Sequence, residues 1–328
     1  MNLRSLPAKP LNAIVFIAVA LAVSSAQAQE ASQDYFKTGG VLRQPAVSEI
    51  NGKLGYAGGV MNSYEGHNFD GSISFPVSEQ FGFQADAFYS RISDTDFGGG
   101  AGHLFWRDPN IGLLGIAGGY LACDGVDTFQ AGAEGEYYLG RFTFGFFAGV
   151  GSISYERSAP FIDTNPTRFV GRVSVDYYPV DDLRAGVSYI NAFGENLVKG
   201  ELEYQTPLNG LALTAEIARG DHDYDHWLLG VRYYFGGSKS LRDRQRQDDP
   251  PSLMPQILHG LGLYGAKFNH KGREYFNAHP DVGSWGNGYS EQQQILMEVT
   301  RTGNPDQPPI PPTELSDMLG TNPPSMPE

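Results

Sequence analysis

Apolar and polar residues alternate with a period of two over most of the region 51–237. Phe129 and Ala131 fall on one face of such a segment. Gln130 and Glu134 fall on the other. Because successive side chains of a β-strand point to opposite sides, this pattern predicts strands with one apolar and one polar face. Helical periodicity is absent from the region, so we expect an all-β fold.

The alternating region divides into about twelve segments joined by turns, and a count of 10 to 14 fits the same pattern. The segments are 53–62, 68–77, 80–91, 97–107, 111–122, 127–139, 141–155, 167–178, 182–192, 196–206, 210–219 and 226–236. Their connections alternate between short turns and longer loops, which is typical of outer-membrane barrels. The sequence therefore predicts a transmembrane antiparallel up-and-down β-barrel.

Aromatic residues cluster near the ends of these segments, where a membrane barrel carries its interfacial girdle. They are Phe75, Phe81, Trp106, Tyr137, Tyr138, Phe142, Tyr177, Tyr178, Tyr204 and Phe235. A soluble sandwich also alternates, but its apolar face meets a second sheet and its connections need not alternate in length. The girdle favours the membrane barrel.

The first 28 residues have the features of a cleaved signal peptide. Arg4 and Lys9 precede an apolar stretch, and Ala26 and Ala28 form a small-x-small cleavage site. Residues 29–50 then form a short polar leader, which we expect in the periplasm. These features predict export to the cell outer membrane of a Gram-negative envelope.

Composition excludes several functions. The formal net charge of −14 argues against nucleic-acid binding, which needs clustered basic residues. The single cysteine, Cys123, excludes an internal disulfide. No nucleophile elbow or zinc-protease motif is present in the sequence. We therefore expect no enzymatic activity and no cofactor.

The last predicted strand ends in a pattern that resembles the C-terminal insertion signal of bacterial outer-membrane barrels, with matches at Gly230, Tyr233 and Phe235. The stretches 47–53 and 98–115 resemble an uncharacterised, porin-like family of alphaproteobacterial outer-membrane barrels. The insertion signal implies the barrel-assembly machinery as a partner through the last strand. The membrane setting predicts contact with outer-membrane lipid, and the acidic outer loops predict contact with lipopolysaccharide through divalent cations. The resemblances imply no activity or functional residue.

Ionisable residues of both signs occupy the face opposite the apolar one, so we expect them to line the lumen. The candidates are Asp86, His103, Arg107, Glu134, Glu136, Arg172, Asp176, Arg184, Lys199, Glu201, Glu203 and Arg232. They either tune a narrow channel or pair across a filled lumen, since twelve strands lie between filled barrels of about eight and porins of about 16–18. Both interpretations stay open.

The loop before the last predicted strand holds the densest polar cluster, and Asp221, Asp223 and Asp225 are weak candidates for cation ligands. No complete ligand set is visible, so a solvated acidic loop is the simpler interpretation and we predict no metal site.

Residues 238–328 hold 12 of the 21 prolines and form a Pro-rich tail. We expect this tail to be largely disordered and periplasmic, with helical pieces near 253–263 and 291–299 and with a periplasmic or cell-wall partner. The whole sequence favours a narrow porin-like channel for small polar solutes or ions. The alternative is a non-conducting structural or adhesion barrel that uses its outer loops and its tail.

Overall fold

The computed structural model describes residues 37–38, 41–42, 44–123, 125–156 and 162–278. Twelve antiparallel strands close into one barrel, which confirms the predicted fold class. The strands are β1 Asn51–Met61, β2 Tyr64–Pro76, β3 Phe81–Ile92, β4 Thr95–Asp108, β5 Gly112–Cys123, β6 Val126–Leu139, β7 Phe142–Tyr155, β8 Thr167–Val180, β9 Leu183–Ala192, β10 Glu195–Gln205, β11 Leu211–Gly220 and β12 Asp225–Tyr234. Each strand pairs with the next in sequence, and β12 pairs with β1 to close the ring.

The outer surface of the barrel is apolar, as the period-two pattern predicts. On β12, the side chains of Trp227 and Leu229 are 51% and 60% exposed, whereas Leu228 between them is buried. Large apolar residues are exposed in the same way on all the other strands of the barrel. Tyr138 and Tyr178 are exceptions to the predicted girdle, because both are buried and face inward.

The barrel has two rims. β1 begins and β12 ends at one of them, which we call the terminal rim; the other is the opposite rim. Connections at the terminal rim span 77–80, 109–111, 140–141, 181–182 and 206–210. Those at the opposite rim span 62–63, 93–94, 124–125, 156–166, 193–194 and 221–224. The predicted alternation in length is therefore wrong: apart from 156–166, both sets are short, because the strands extend further than the sequence pattern indicated.

Two helices follow the barrel: α1, Leu241–Gln247, and α2, Met254–Ala278. Ser240 caps α1 by accepting a hydrogen bond from the backbone N–H of Asp243. Residues 241–247 and 254–278 of the predicted tail are therefore helical, and α2 includes most of the helical piece that the sequence predicts near 253–263. Residues 279–328 and the signal peptide lie outside the described residues.

Within the described residues, no helix combines the length and the apolarity needed to cross a membrane. α2 instead lies inside the barrel. Its apolar residues Met254, Ile257, Leu258, Leu261 and Tyr264 are buried in one cluster with inward-facing apolar residues of the barrel wall. The wall contributes Met61, Phe88, Ile92, Phe97, Ala117, Leu121, Val126, Phe147, Ile153, Val170, Ile190, Ala192, Leu197, Ala218 and Leu228.

Candidate functional site

The segment from Pro250 to His270 crosses the lumen from the terminal rim to the opposite rim. Before α2 begins, the carbonyl of Pro250 accepts a hydrogen bond from Lys53 at the start of β1. Further along, Gln256 donates to Gln130 in the middle of β6. Lys267 and His270 then reach the opposite rim, where Lys267 pairs with Glu195 and the ring of His270 contacts that of His222. The 17 residues from Met254 to His270 span about 25 Å at the rise of an α-helix.

The structure places all twelve predicted lumen residues on the inward face, where each is buried or partly buried. Their charges face one another or the tail rather than a continuous open channel. Three groups carry the contacts: one around His103, one around Arg184, and one in which Lys199 meets Glu216. Passage of solutes along these residues remains a prediction.

His103 on β4 lies between two carboxylates. Its Nε2 is 3.1 Å from Asp86 Oδ2, and its Nδ1 is 3.0 Å from Glu134 Oε2. Asp86 also accepts a hydrogen bond from the backbone N–H of Leu253, the residue before α2. This group therefore connects the barrel wall to the point where the tail enters the lumen.

Arg184 on β9 contacts three carboxylates of the neighbouring strands. Its guanidinium lies 3.0 Å from Asp176, 3.6 Å from Glu201 and 3.4 Å from Glu203. Arg232 on β12 adds a contact of 3.0 Å to Glu203. Each contact joins one guanidinium nitrogen to one oxygen of a different carboxylate, and these buried ion pairs are screened less than ion pairs on a solvated surface.

Three further candidates lie at the edges of this network. Glu136 accepts a hydrogen bond of 2.7 Å from the Tyr138 hydroxyl. Arg107 donates to the carbonyl of Ala46 over 3.3 Å. Arg172 faces inward from β8, and its Nε is buried without a hydrogen-bond partner.

Lys199 on β10 extends the ion pairs toward α2. Its Nζ lies 3.3 Å from Glu201 Oε1 and 3.2 Å from Glu216 Oε2. The other oxygen of Glu216, Oε1, lies 2.7 Å from His226 Nε2 and 3.2 Å from His259 Nε2. Since Glu216 and His226 lie on the wall and His259 on α2, this polar group joins the helix to the barrel.

α1 and the linker after it are fixed at the terminal rim. The buried Arg244 donates to Gln205 Oε1 over 3.0 Å and to the carbonyl of Gly237 over 2.7 Å. Lys239 pairs with Asp248 at 2.8 Å. Burial raises the pKa of the neighbouring Asp249 above its ordinary value, although Lys53 opposes the shift.

The predicted insertion-signal residues lie on and just after β12. A Cβ at Gly230 would lie 2.4 Å from the carbonyl oxygen of Tyr56, so close pairing of β12 with β1 requires glycine there. Tyr233 is exposed on the outer surface and its ring contacts that of Phe235. Their recognition by the assembly machinery remains a prediction.

The acidic loop candidates do not form a compact ligand set. Asp221 and Asp223 lie in a short 3-10 helix and Asp225 begins β12. Asp221 instead accepts hydrogen bonds from the backbone and side-chain amides of Asn196. Among the described residues, the group whose ligand atoms converge is Glu216, His226 and His259.

Sequence reasoning left open whether the tail plugs the barrel, and it did not identify Glu216, His226 and His259 as a group. A signal was available. Inward positions near the opposite rim are apolar, as at Leu121 and Ile153, whereas an aqueous pore would favour polar residues there. A barrel wall that is apolar on both its outer and inner faces near one rim indicates that an apolar segment fills the lumen there.

No protein-family model matches the chain, and no curated protein matches it in sequence. Solved structures do resemble it. A KdgM porin in complex with disordered oligogalacturonate is 12% identical, with 56% of this chain and 99% of that chain covered and a TM-score of 0.44. The COG4313 outer membrane channel from Pseudomonas putida F1 is 10% identical, with 61% and 100% covered and a TM-score of 0.41.

The translocator domain of the autotransporter NalP from Neisseria meningitidis is 14% identical to the chain, with 69% of this chain and 97% of that chain covered and a TM-score of 0.31. The likeness to these outer-membrane proteins concerns the barrel. The resemblance to an alphaproteobacterial family stays a prediction.

Proposed function

We propose that this chain is an outer-membrane barrel that its own C-terminal helix holds closed, and that small polar solutes or ions pass only when α2 leaves the lumen. The observation that carries the proposal is the packing of α2 against the inward face of the wall. The exposed apolar outer surface supports a membrane setting. An open porin would leave this space to water.

The contacts of α2 favour a plug that is specific to this barrel. Its apolar residues meet apolar wall residues, and its polar residues Gln256, His259 and Lys267 each meet a polar partner on the wall. Each of these contacts joins a polar atom of α2 to a particular polar atom of the wall, so helix and wall are matched at three separate points. The matched contacts therefore support a defined closed state.

Conductance in planar bilayers tests the proposal directly. The full chain is compared with the double variant Leu258→Asp/Leu261→Asp, which places two carboxylates in the apolar cluster and so expels α2 from it. We expect the full chain to be silent and the double variant to give discrete conductance steps. A chain with residues 238–328 deleted should conduct as well, with barrel formation checked by heat-modified gel mobility.

The matched control is Lys271→Ala, since that side chain is 43% exposed and lies beyond the cluster. It should stay silent like the full chain. Steady conductance by the unaltered full chain, equal to that of the double variant, would overturn the closed state. Silence of every folded form would leave the non-conducting structural barrel.

A second candidate is a barrel that carries its C-terminal region across the membrane, for adhesion or display. The direction of α2 favours it, because α2 starts beside the terminal-rim half of the wall and reaches the opposite rim at His270. If the terminal rim faces the periplasm, the C-terminal end of α2 lies at the extracellular side of the membrane. The predicted periplasmic location of the entire tail would then be wrong.

Antibody labelling of intact cells tests the second candidate. An epitope tag after Glu328 should be labelled without permeabilisation. The same tag placed in the turn 206–210, at the terminal rim, should be labelled only after permeabilisation. Labelling of the C-terminal tag only in permeabilised cells would contradict a path from the terminal rim to the cell surface.

A further inference from the structure

We infer that Glu216, His226 and His259 form a site for a transition-metal cation, of which Zn²⁺ is the best match, and that this cation fastens α2 to the barrel wall. The three ligand atoms all lie within 4.8 Å of one another. Two residues come from neighbouring strands of the wall, β11 and β12, and the third comes from α2. The inference needs α2 in its place but no channel activity, so metal binding and conductance can fail independently.

The donor set suits zinc. Two imidazoles and one carboxylate form a recurrent set that leaves a fourth position for water. Ligands about 2.0–2.1 Å from a tetrahedral zinc lie about 3.3 Å apart. Glu216 Oε1 lies 2.7 Å from His226 Nε2 and 3.2 Å from His259 Nε2. Glu216 Oε1 must therefore move about 0.6 Å away from His226 Nε2 to reach the tetrahedral separation, and the three ligand atoms, all within 4.8 Å of one another, must adjust together around the ion.

The outer contacts orient the ligands as in metal sites. Lys199 holds Glu216 Oε2, which leaves Oε1 directed at the two histidines. The Nδ1 of His226 lies 3.3 Å from the Tyr224 hydroxyl, so the Nε2 of His226 is the nitrogen that faces the site. A partner on the distal nitrogen is the usual support of a ligating histidine.

Hydrogen bonding alone leaves part of this group unexplained. The ring of His259 stacks on that of His226 at a centroid distance of 4.7 Å, and His259 is 1% exposed. Its Nε2 faces Glu216 Oε1, while its Nδ1 has no hydrogen-bond partner, so His259 lacks the distal support that Tyr224 gives to His226. Ligation of one ion by both rings would account for two imidazoles that are buried against each other.

Glu216 is the one anionic member of the three proposed ligands, and Lys199 contacts both Glu216 and Glu201. Glu201 also lies 3.6 Å from Arg184, so the ion pairs around the site are balanced before an ion enters. Both histidines are required in neutral form for ligation, and neutral imidazole is a ligand that zinc accepts readily.

Added metal tests the inference on the purified full chain in detergent, after removal of bound ions by a chelator. Saturating Zn²⁺ should raise the midpoint of the heat-induced mobility shift by about 5 °C. Co²⁺ should produce the visible absorption of a tetrahedral site. His259→Gln and His226→Gln keep a polar group of similar reach and should each weaken zinc binding at least about tenfold.

The matched control is His222→Gln/His270→Gln, which removes another contacting histidine pair, with ring centroids 4.8 Å apart, near the opposite rim. This control should respond to both metals like the unaltered chain. The inference is overturned if the unaltered chain shows neither response. It is also overturned if His259→Gln responds fully, or if the control alone loses the response.

Discussion

At the scale of single residues, close strand pairing restricts side-chain size at particular glycines. β6 and β7 pair so closely that a Cβ on Gly149 would lie 2.1 Å from the carbonyl oxygen of Ala131. Since backbone atoms cannot move away cheaply, the pairing itself requires glycine. At Gly200 on β10 a Cβ would meet nothing within 4 Å. Two glycines in similar sequence settings therefore have different physical roles.

We predict that Gly149→Ala lowers the free energy of unfolding of the barrel by about 2 kcal/mol, as overpacking usually does. Gly200→Ala should leave it nearly unchanged. Urea titration in detergent, followed by tryptophan fluorescence, measures both. Equal effects of the two substitutions would show that strand spacing is not the cause.

His103 provides a second test at this scale. His103→Leu leaves Asp86 and Glu134 buried without their shared partner. We predict that the free energy of unfolding falls by about 3–5 kcal/mol, the usual result of breaking a buried pair. The triple variant Asp86→Asn/His103→Leu/Glu134→Gln removes the charges together and should recover part of the loss. The denaturant midpoints of the two variants measure their stabilities. A triple variant that is less stable than His103→Leu would contradict the prediction.

At the scale of elements, one buried side chain holds the short helix α1 at the terminal rim. Arg244 is buried and contacts Gln205, Phe235 and Gly237, which fixes α1 to the terminal rim. Arg242 on the same helix pairs with Asp181, but both side chains are partly exposed. Exposed ion pairs contribute little, whereas buried charged hydrogen bonds contribute more.

We predict that Arg244→Ala releases α1, so that protease cleaves within residues 238–253 about tenfold faster. Arg242→Ala should leave the rate unchanged. Limited proteolysis of the folded protein, with fragments identified by mass, measures both rates. Equal rates for the two variants would show that Arg244 does not hold the element.

The linker between the helices should respond to pH through Asp249. Burial raises its pKa in the docked state, so protonation favours docking. The stabilisation is present at low pH and is lost as pH rises through the raised pKa. We predict that the linker is cleaved faster at pH 7 than at pH 4, which is close to the ordinary aspartate pKa of about 3.9, after correction for protease activity, and that Asp249→Asn abolishes the difference. An unchanged difference in that variant would assign it to another group.

At the scale of the whole molecule, the position of α2 inside the barrel can be tested through the single cysteine. Cys123 at the end of β5 lines the same small cavity as Leu258 and Leu261 of α2. We predict that Leu261→Cys is joined to Cys123 by a short thiol crosslinker, which changes the mobility of the denatured chain on a gel. Lys271→Cys lies ten residues, about 15 Å, further along the helix and should not be joined.

The barrel could be predicted from the sequence because one lipid-facing side per strand imposes a period of two, which Trp227 to Val231 display. The inward position of His103 and Glu134 followed from the same rule. The helix in the lumen could not be predicted so directly. Its apolar partners, such as Phe97, Leu121 and Ile190, are dispersed over separate strands and meet only when the ring closes.

The closed ring also dictates the order of events during biogenesis. A sheet without free edges offers no lateral entrance to its interior once β12 has paired with β1. α2 follows β12 in the chain, so the ribosome completes it after every strand of the wall. Either β12 pairs with β1 around an α2 that is already in place, or α2 enters a barrel that has already closed. The fold is therefore complete only when α2 lies in the lumen, and not already when β12 pairs with β1.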